Sequence, residues 1–92
     1  LDIQPNNAIV HYNLGCVYIR QQKFKKAIEL LEKAKSLDAE IVGINVNLGF
    51  AYAKQKRYDE AILEIREAVS LKPNDLDVQF LLGNIYILAK DK

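Results

Sequence analysis

His11 and Cys16 are the only histidine and the only cysteine of this chain, and they are its obvious candidates for nucleophilic chemistry near neutral pH. Their five-residue offset puts them on different faces of a helix, so they do not pair as base and nucleophile. His11 takes the place of a packing residue, and Cys16 reads as a small surface-lining side chain. Ser36 and Ser70 stand at equivalent places near two helix ends and belong to a repeating pattern rather than to a reactive site. The acidic residues read as scattered over solvent-facing positions, without the paired carboxylates of an acid–base site. No glycine-rich phosphate loop follows a strand. One cysteine permits neither an internal disulfide nor a cysteine-based metal cluster, and it favours a reducing, cytoplasmic setting. The residues therefore argue against an enzyme and imply no catalytic group, metal or cofactor.

What remains is the chemistry of recognition. Asn13 and Asn47 are 34 residues apart, and an amide can both donate to and accept from a peptide backbone. Arg20, Lys23, Lys25 and Lys26 form one basic cluster and Lys54, Lys56 and Arg57 a second. An anionic partner could dock there. Cations at a helix C-terminus also complement its dipole, as Asp59 and Glu60 do at the start of the following helix. The net charge is only +1, which gives no general attraction to nucleic acid or to an anionic membrane. The most apolar run, residues 80–89, is about half the ~20 residues of a membrane-spanning helix, and no signal peptide is visible.

These residues are positioned by a repeat. Leu14-Gly15 returns as Leu48-Gly49 and as Leu82-Gly83, at 49 − 15 = 34 and 83 − 49 = 34. Tyr18, Tyr52 and Tyr86 follow three residues after each glycine. Phe24 and Tyr58 open second halves that continue with Ala27, Ala34 and Leu37, and with Ala61, Ala68 and Leu71. Pro5 and Pro73 lie two periods apart. Each unit reads as two helices. The first, near 8–22, 42–56 and 76–90, is apolar nearly all round and should be enclosed on several sides. The second, near 24–37 and 58–71, is one-sided, with Ala27, Leu30, Leu31, Ala34 and Leu37 inward and Glu29, Glu32, Lys33 and Lys35 elsewhere. A helical glycine costs ~1 kcal/mol relative to alanine, so three in register imply close helix approach, with the alanines offering small surfaces.

The recurring Leu14, Gly15, Tyr18, Ala27 and Ala34, then Leu48, Gly49, Tyr52, Ala61, Ala68 and Pro73, then Leu82, Gly83 and Tyr86, resemble the tetratricopeptide repeats. His11, Asn45 and Gln79 depart from the family's bulky residue, and Leu31 and Ile65 from its aromatic one. The resemblance implies an all-α fold, a right-handed alpha-alpha superhelix of antiparallel helix pairs. Residues 1–7 would end a preceding repeat, 8–41 and 42–75 form two full repeats, and 76–92 hold the first helix of a third. The chain reads as a section of a longer solenoid.

In such a solenoid the first helices line the concave face. The stripe pointing away from the second helices is Ile9, Tyr12, Asn13, Cys16 and Arg20, then Gly43, Val46, Asn47, Phe50 and Lys54, then Asp77, Phe80, Leu81, Asn84 and Leu88. Mixed apolar and amide surface suits an extended peptide or an amphipathic helix. Some members of the family hold a client backbone with a ladder of asparagines; here Asn13 and Asn47 would be two rungs and Leu81 ends the ladder. The same asparagines could instead tie one repeat to the next. Members that clamp a terminal carboxylate use cations and amides where this chain has Tyr12, Cys16, Asn47, Asp77 and Leu81, so that specificity is not expected. A different reading is self-assembly, since Leu82, Ile85 and Tyr86 have no following helix to cover them; a third is a recruiting arm of a larger enzyme.

Overall fold

The helical pattern is realised as α1 Ala8–Arg20, α2 Phe24–Leu37, α3 Val42–Lys54, α4 Tyr58–Leu71 and α5 Leu76–Lys90 in a computed structural model that describes residues 7–90. Residues 1–6, with Pro5 and nearly all of the segment assigned to a preceding repeat, lie outside the described residues, as do 91–92. Consecutive helices pack in pairs, α1 on α2 and α3 on α4, and α2 and α4 each also touch the first helix of the next unit. The architecture is an all-α superhelix, elongated at 47 × 28 × 18 Å.

Local chemistry sets the boundaries. Asn7 caps α1 by accepting from the Ile9 and Val10 N–H groups, and Asp75 accepts from Asp77 and Val78 at the start of α5. The first helices stop two residues short of the expected 22 and 56. Gln22 and Lys56, one period apart, both adopt φ 61°. The next N–H groups, of Lys23 and Arg57, donate back to the Tyr18 and Tyr52 carbonyls at 2.9 Å. This left-handed closure turns the chain into α2 and α4.

Only α3 is enclosed as an all-apolar helix should be. It buries Ile44, Leu48, Ala51 and Tyr52 against α2 and α4. In α1 only Gly15 is fully buried, while Ile9, Val10 and Leu14 keep 40–50% of their surface, because no described helix lies on their outer side. α5 departs from expectation in detail. Ile85 is buried at 1% exposure in the shared core, and the uncovered residues are Leu76, Phe80, Tyr86, Ile87 and Leu88.

The glycines are filled by residues other than the alanines. A Cβ on Gly15 would lie 2.8 Å from both Cγ and Cδ2 of Leu31. One on Gly49 would meet Ile65 at Cδ1 and, at 2.6 Å, at Cγ1, with the Ala61 carbonyl 3.4 Å behind. Leu31 and Ile65, the two departures from the aromatic pattern, are thus the knobs that enter the glycine notches. Gly83 meets nothing within 4 Å. The same substitution should therefore have opposite signs. Gly49→Ala forces an overpacking cost of roughly 1–3 kcal/mol that exceeds the helix-propensity gain, whereas Gly83→Ala should stabilise this chain by about 0.5–1 kcal/mol. Urea unfolding of the two variants checks this, and equal shifts would contradict it.

Candidate interaction groove

The first helices meet through side chains that the sequence assigned to the groove. Tyr12 lies over Gly43, where a Cβ would be 2.9 Å from its ring Cζ, so the missing side chain lets α1 and α3 approach. Asn47 Nδ2 donates to Cys16 Sγ at 3.3 Å. Asn47 therefore ties α1 to α3, while Asn13 is exposed. Burial, with Cys16 beside it, raises the Tyr12 hydroxyl above the ordinary tyrosine pKa.

Two clefts open between these helices. One, of about 330 Å³, is lined by Ile19, Arg20, Gln22, Phe24, Phe50 and Lys54. Adding 34 to each number gives Ala53, Lys54, Lys56, Tyr58, Asn84 and Leu88. All six line the second cleft, of about 310 Å³, together with Phe50, Leu81 and Ile85. The clefts are thus the same feature one repeat apart. Phe50 and Lys54 belong to both. The Phe50 ring packs edge-on against Phe24 with centroids 6.0 Å apart, and Lys54 Nζ sits 5.4 Å from its centroid.

Of the expected site residues, the structure brings Arg20, Phe50 and Lys54 together in one cleft, and Phe50, Lys54, Leu81, Asn84 and Leu88 in the other. Tyr12, Cys16 and Asn47 form a separate cluster. Val46 packs partly buried against the core, Asn13 lies on open surface, and Phe80 stands 72% exposed on α5. Ile19, Gln22, Phe24, Ala53, Lys56, Tyr58 and Ile85 line the clefts from outside the expected stripe. For all but Ile85 the signal was the period itself, since Ile19, Gln22 and Phe24 map onto Ala53, Lys56 and Tyr58. Of the basic cluster, Arg57 is engaged otherwise, bonded to Glu60 through Nε at 2.8 Å and stacked 4.6 Å from the Tyr52 ring centroid.

The wall behind the groove is held by a polar network, which corrects the view of the acidic residues as scattered in solvent. Lys35 of α2 bonds both carboxylate oxygens of Glu64 at 3.1 and 3.0 Å and also reaches Glu67. Asn45, fully buried where the family pattern has a bulky residue, donates to Glu64 and Glu67 at 3.1 and 3.0 Å. Its Oδ1 has no protein partner. Burial raises the Glu64 carboxyl above its ordinary pKa, and Lys35 offsets only part of that. Burial alone would lower Lys35, but the bonds and charges of Glu64 and Glu67 outweigh it and hold the ammonium above the usual lysine value. The directions are compatible because Lys35 keeps more of its surface in water and faces two carboxylates. Nearby, the Tyr52 hydroxyl donates to Glu32, and burial together with that carboxylate raises its pKa. His11 Nδ1 lies 2.9 Å from the Asn7 carbonyl oxygen. Among the described residues no helix is long and apolar enough to cross a membrane.

Stacked helix pairs with an inner face carrying repeated clefts define a helical-repeat scaffold. The tetratricopeptide repeat model matches residues 8–40 and 43–75, and the chain belongs to that family. Such repeats are a protein–protein interaction module, typically without enzymatic activity of their own. Among solved structures, the TPR domain of Arabidopsis OM64 superposes with a TM-score of 0.83 at 24% identity, covering 87% of this chain and 66% of that one. The second TPR domain of human RPAP3, solved with the HSP70 peptide SGPTIEEVD, gives 0.83 at 22% identity over 88% of this chain and 68% of that one. MamA AMB-1 gives 0.84 at 29% identity over 95% and 49%. The chain thus spans about half of the MamA chain and about two thirds of the other two. None of the curated proteins compared with it matches.

Proposed function

We propose that this chain is a binding module that holds a peptide or amphipathic helix from a protein partner in the groove between α1, α3 and α5, with Phe50 at its centre. One observation carries the reading: two repeat-equivalent clefts share the Phe50–Lys54 wall. The wall offers aromatic area beside polar groups, the combination that anchors peptide side chains. The peptide complex of the RPAP3 domain is consistent with this use of the fold. The test selects binders from a random displayed peptide library and measures their affinity for wild type and Phe50→Ala. Because the ring is already 37% exposed, the variant should keep its circular dichroism while losing about thirtyfold in affinity, as for an aromatic hot spot. Unchanged affinity in a folded variant rejects the groove.

Self-association is a second reading, favoured by the uncovered α5 face where Leu76, Phe80 and Ile87 are 76%, 72% and 62% exposed. Sedimentation over a concentration series should then show a larger species that Phe80→Glu returns to monomer. A monomer at all concentrations removes this reading.

A further inference from the structure

We infer that the occupant of the groove is an extended peptide bearing a carboxylate side chain and a large apolar side chain three residues apart, the carboxylate in the α1–α3 cleft and the apolar group in the α3–α5 cleft. This rests on the groove being a peptide site and specifies its ligand.

The two clefts have the same position in the repeat and each carries two cations, but the second has the larger share of apolar lining. In the α1–α3 cleft Arg20 and Lys54 face one space with the Gln22 amide, and no carboxylate lines it. An anionic side chain there gains charge-assisted bonds from both cations. One repeat on, Leu88 replaces Lys54 on the far wall, and Ala53 replaces Ile19. The first change removes a charge from the far wall, Lys56 in the place of Gln22 puts one back at the turn, and the alanine makes room. Leu81 and Ile85 add to a mainly apolar lining in which Lys54, Lys56 and Asn84 are the polar members. That pocket takes an aliphatic or aromatic side chain.

Spacing follows from the helix packing. α1 and α3 are in direct contact through Asn47 and Cys16, and packed helices lie roughly 8–10 Å apart. A polyproline-like extended chain returns to the same side every three residues after about 9.3 Å, which matches one repeat step. The middle residues would then cross the Phe50 ring. A helical occupant could also match the step, at a spacing of about seven residues. It would leave the Gln22 and Asn84 amides facing a backbone whose polar groups are already paired, whereas an extended backbone offers them partners. The carboxylate is a side chain, since of the residues at terminal-carboxylate clamp positions, Tyr12, Cys16, Asn47, Asp77 and Leu81, only Asn47 keeps the amide and none supplies a cation.

The probes are short fluorescent peptides, acetylated and amidated, carrying one Glu and one Leu in a Ser/Ala background. They present both orders of the pair at separations of two, three and seven residues. Binding should be at least about tenfold tighter for one order at the three-residue separation than for its Gln or Ser controls. Arg20→Gln, which leaves Lys54 in the cleft, should weaken the preference for Glu over Gln but retain that for Leu over Ser, and Leu88→Ser should do the reverse. Both positions are exposed, so circular dichroism should stay unchanged. Phe50-dependent binding of library peptides without the Glu and Leu preferences overturns the inference alone. So does a preference indifferent to Arg20→Gln and Leu88→Ser, or tightest binding at the seven-residue separation. If neither designed nor library peptides depend on Phe50, the groove reading fails as well.

Discussion

Ile65→Ala is expected to lower the unfolding free energy by about 2–5 kcal/mol, a large share of the roughly 5–15 kcal/mol that holds a small domain together. Ile65 is fully buried and fills the notch left by the absent side chain of Gly49. Its neighbours Ala61 and Ala68 are also fully buried and too small to collapse into the space, so a cavity should persist. The pair offers a sharper check. A methyl at Gly49 clashes with Ile65, but in the Ile65→Ala background it would occupy part of the vacated volume. The double variant should therefore be more stable than the sum of the single changes implies, by about 0.5 kcal/mol or more. Urea unfolding followed by circular dichroism reads both quantities. Additive losses would mean that the notch and its knob act independently.

Lys35→Met should cost about 2 kcal/mol at pH 7, less than the roughly 3–5 kcal/mol for breaking a fully buried pair, because the Lys35 side chain is 22% exposed. The substitution leaves Glu64 and Glu67 adjacent, with only the Asn45 amide donating to both. The sign of the pH dependence follows from Glu64. Its pKa is already raised above 4.5 by burial and should rise further without the cation. A folded state with a raised carboxyl pKa holds more protons than the unfolded chain, so stability increases as pH falls from the folded value toward the unfolded one. The deficit of Lys35→Met relative to wild type should therefore shrink between pH 7 and 5. Adding Glu64→Gln should recover most of the loss at pH 7 and flatten the dependence. Parallel stability curves for Lys35→Met and wild type would show that the network carries little electrostatic weight. The wild-type contribution of Lys35, whose own pKa is raised, is present below its unfolded value of 10.5 and is lost only above that.

The self-association and peptide readings differ in which apolar surface they use. Phe50 stands between two clefts with walls on either side, whereas Phe80 and Ile87 project from α5 where no described helix covers them. Substitutions at Phe50 and at Phe80 therefore separate the two readings without disturbing the Leu48–Ile65 core.

The sequence by itself determined the architecture. A 34-residue period and a 3.6-residue apolar rhythm are local signals, and they place α2 and α4 at Phe24–Leu37 and Tyr58–Leu71. The three glycines marked close approach for the same reason, because each costs helix propensity wherever it stands. The tertiary structure alone decided which neighbour fills each notch, leaving Gly83 open where Gly15 and Gly49 are filled. It also decided the role of the polar residues. Lys35 finds Glu64 29 residues away, and Asn47 finds Cys16 at a separation of 31. Such pairs have no periodic signature, so Glu64 looked like one more solvent-facing acid until α2, α3 and α4 came together. The groove was legible as a stripe of first-helix residues, but its division into a mixed cleft and a more apolar one was not. Each cleft draws walls from two repeats and a turn, and only packing places Arg20 opposite Lys54 and Ala53 opposite Leu88.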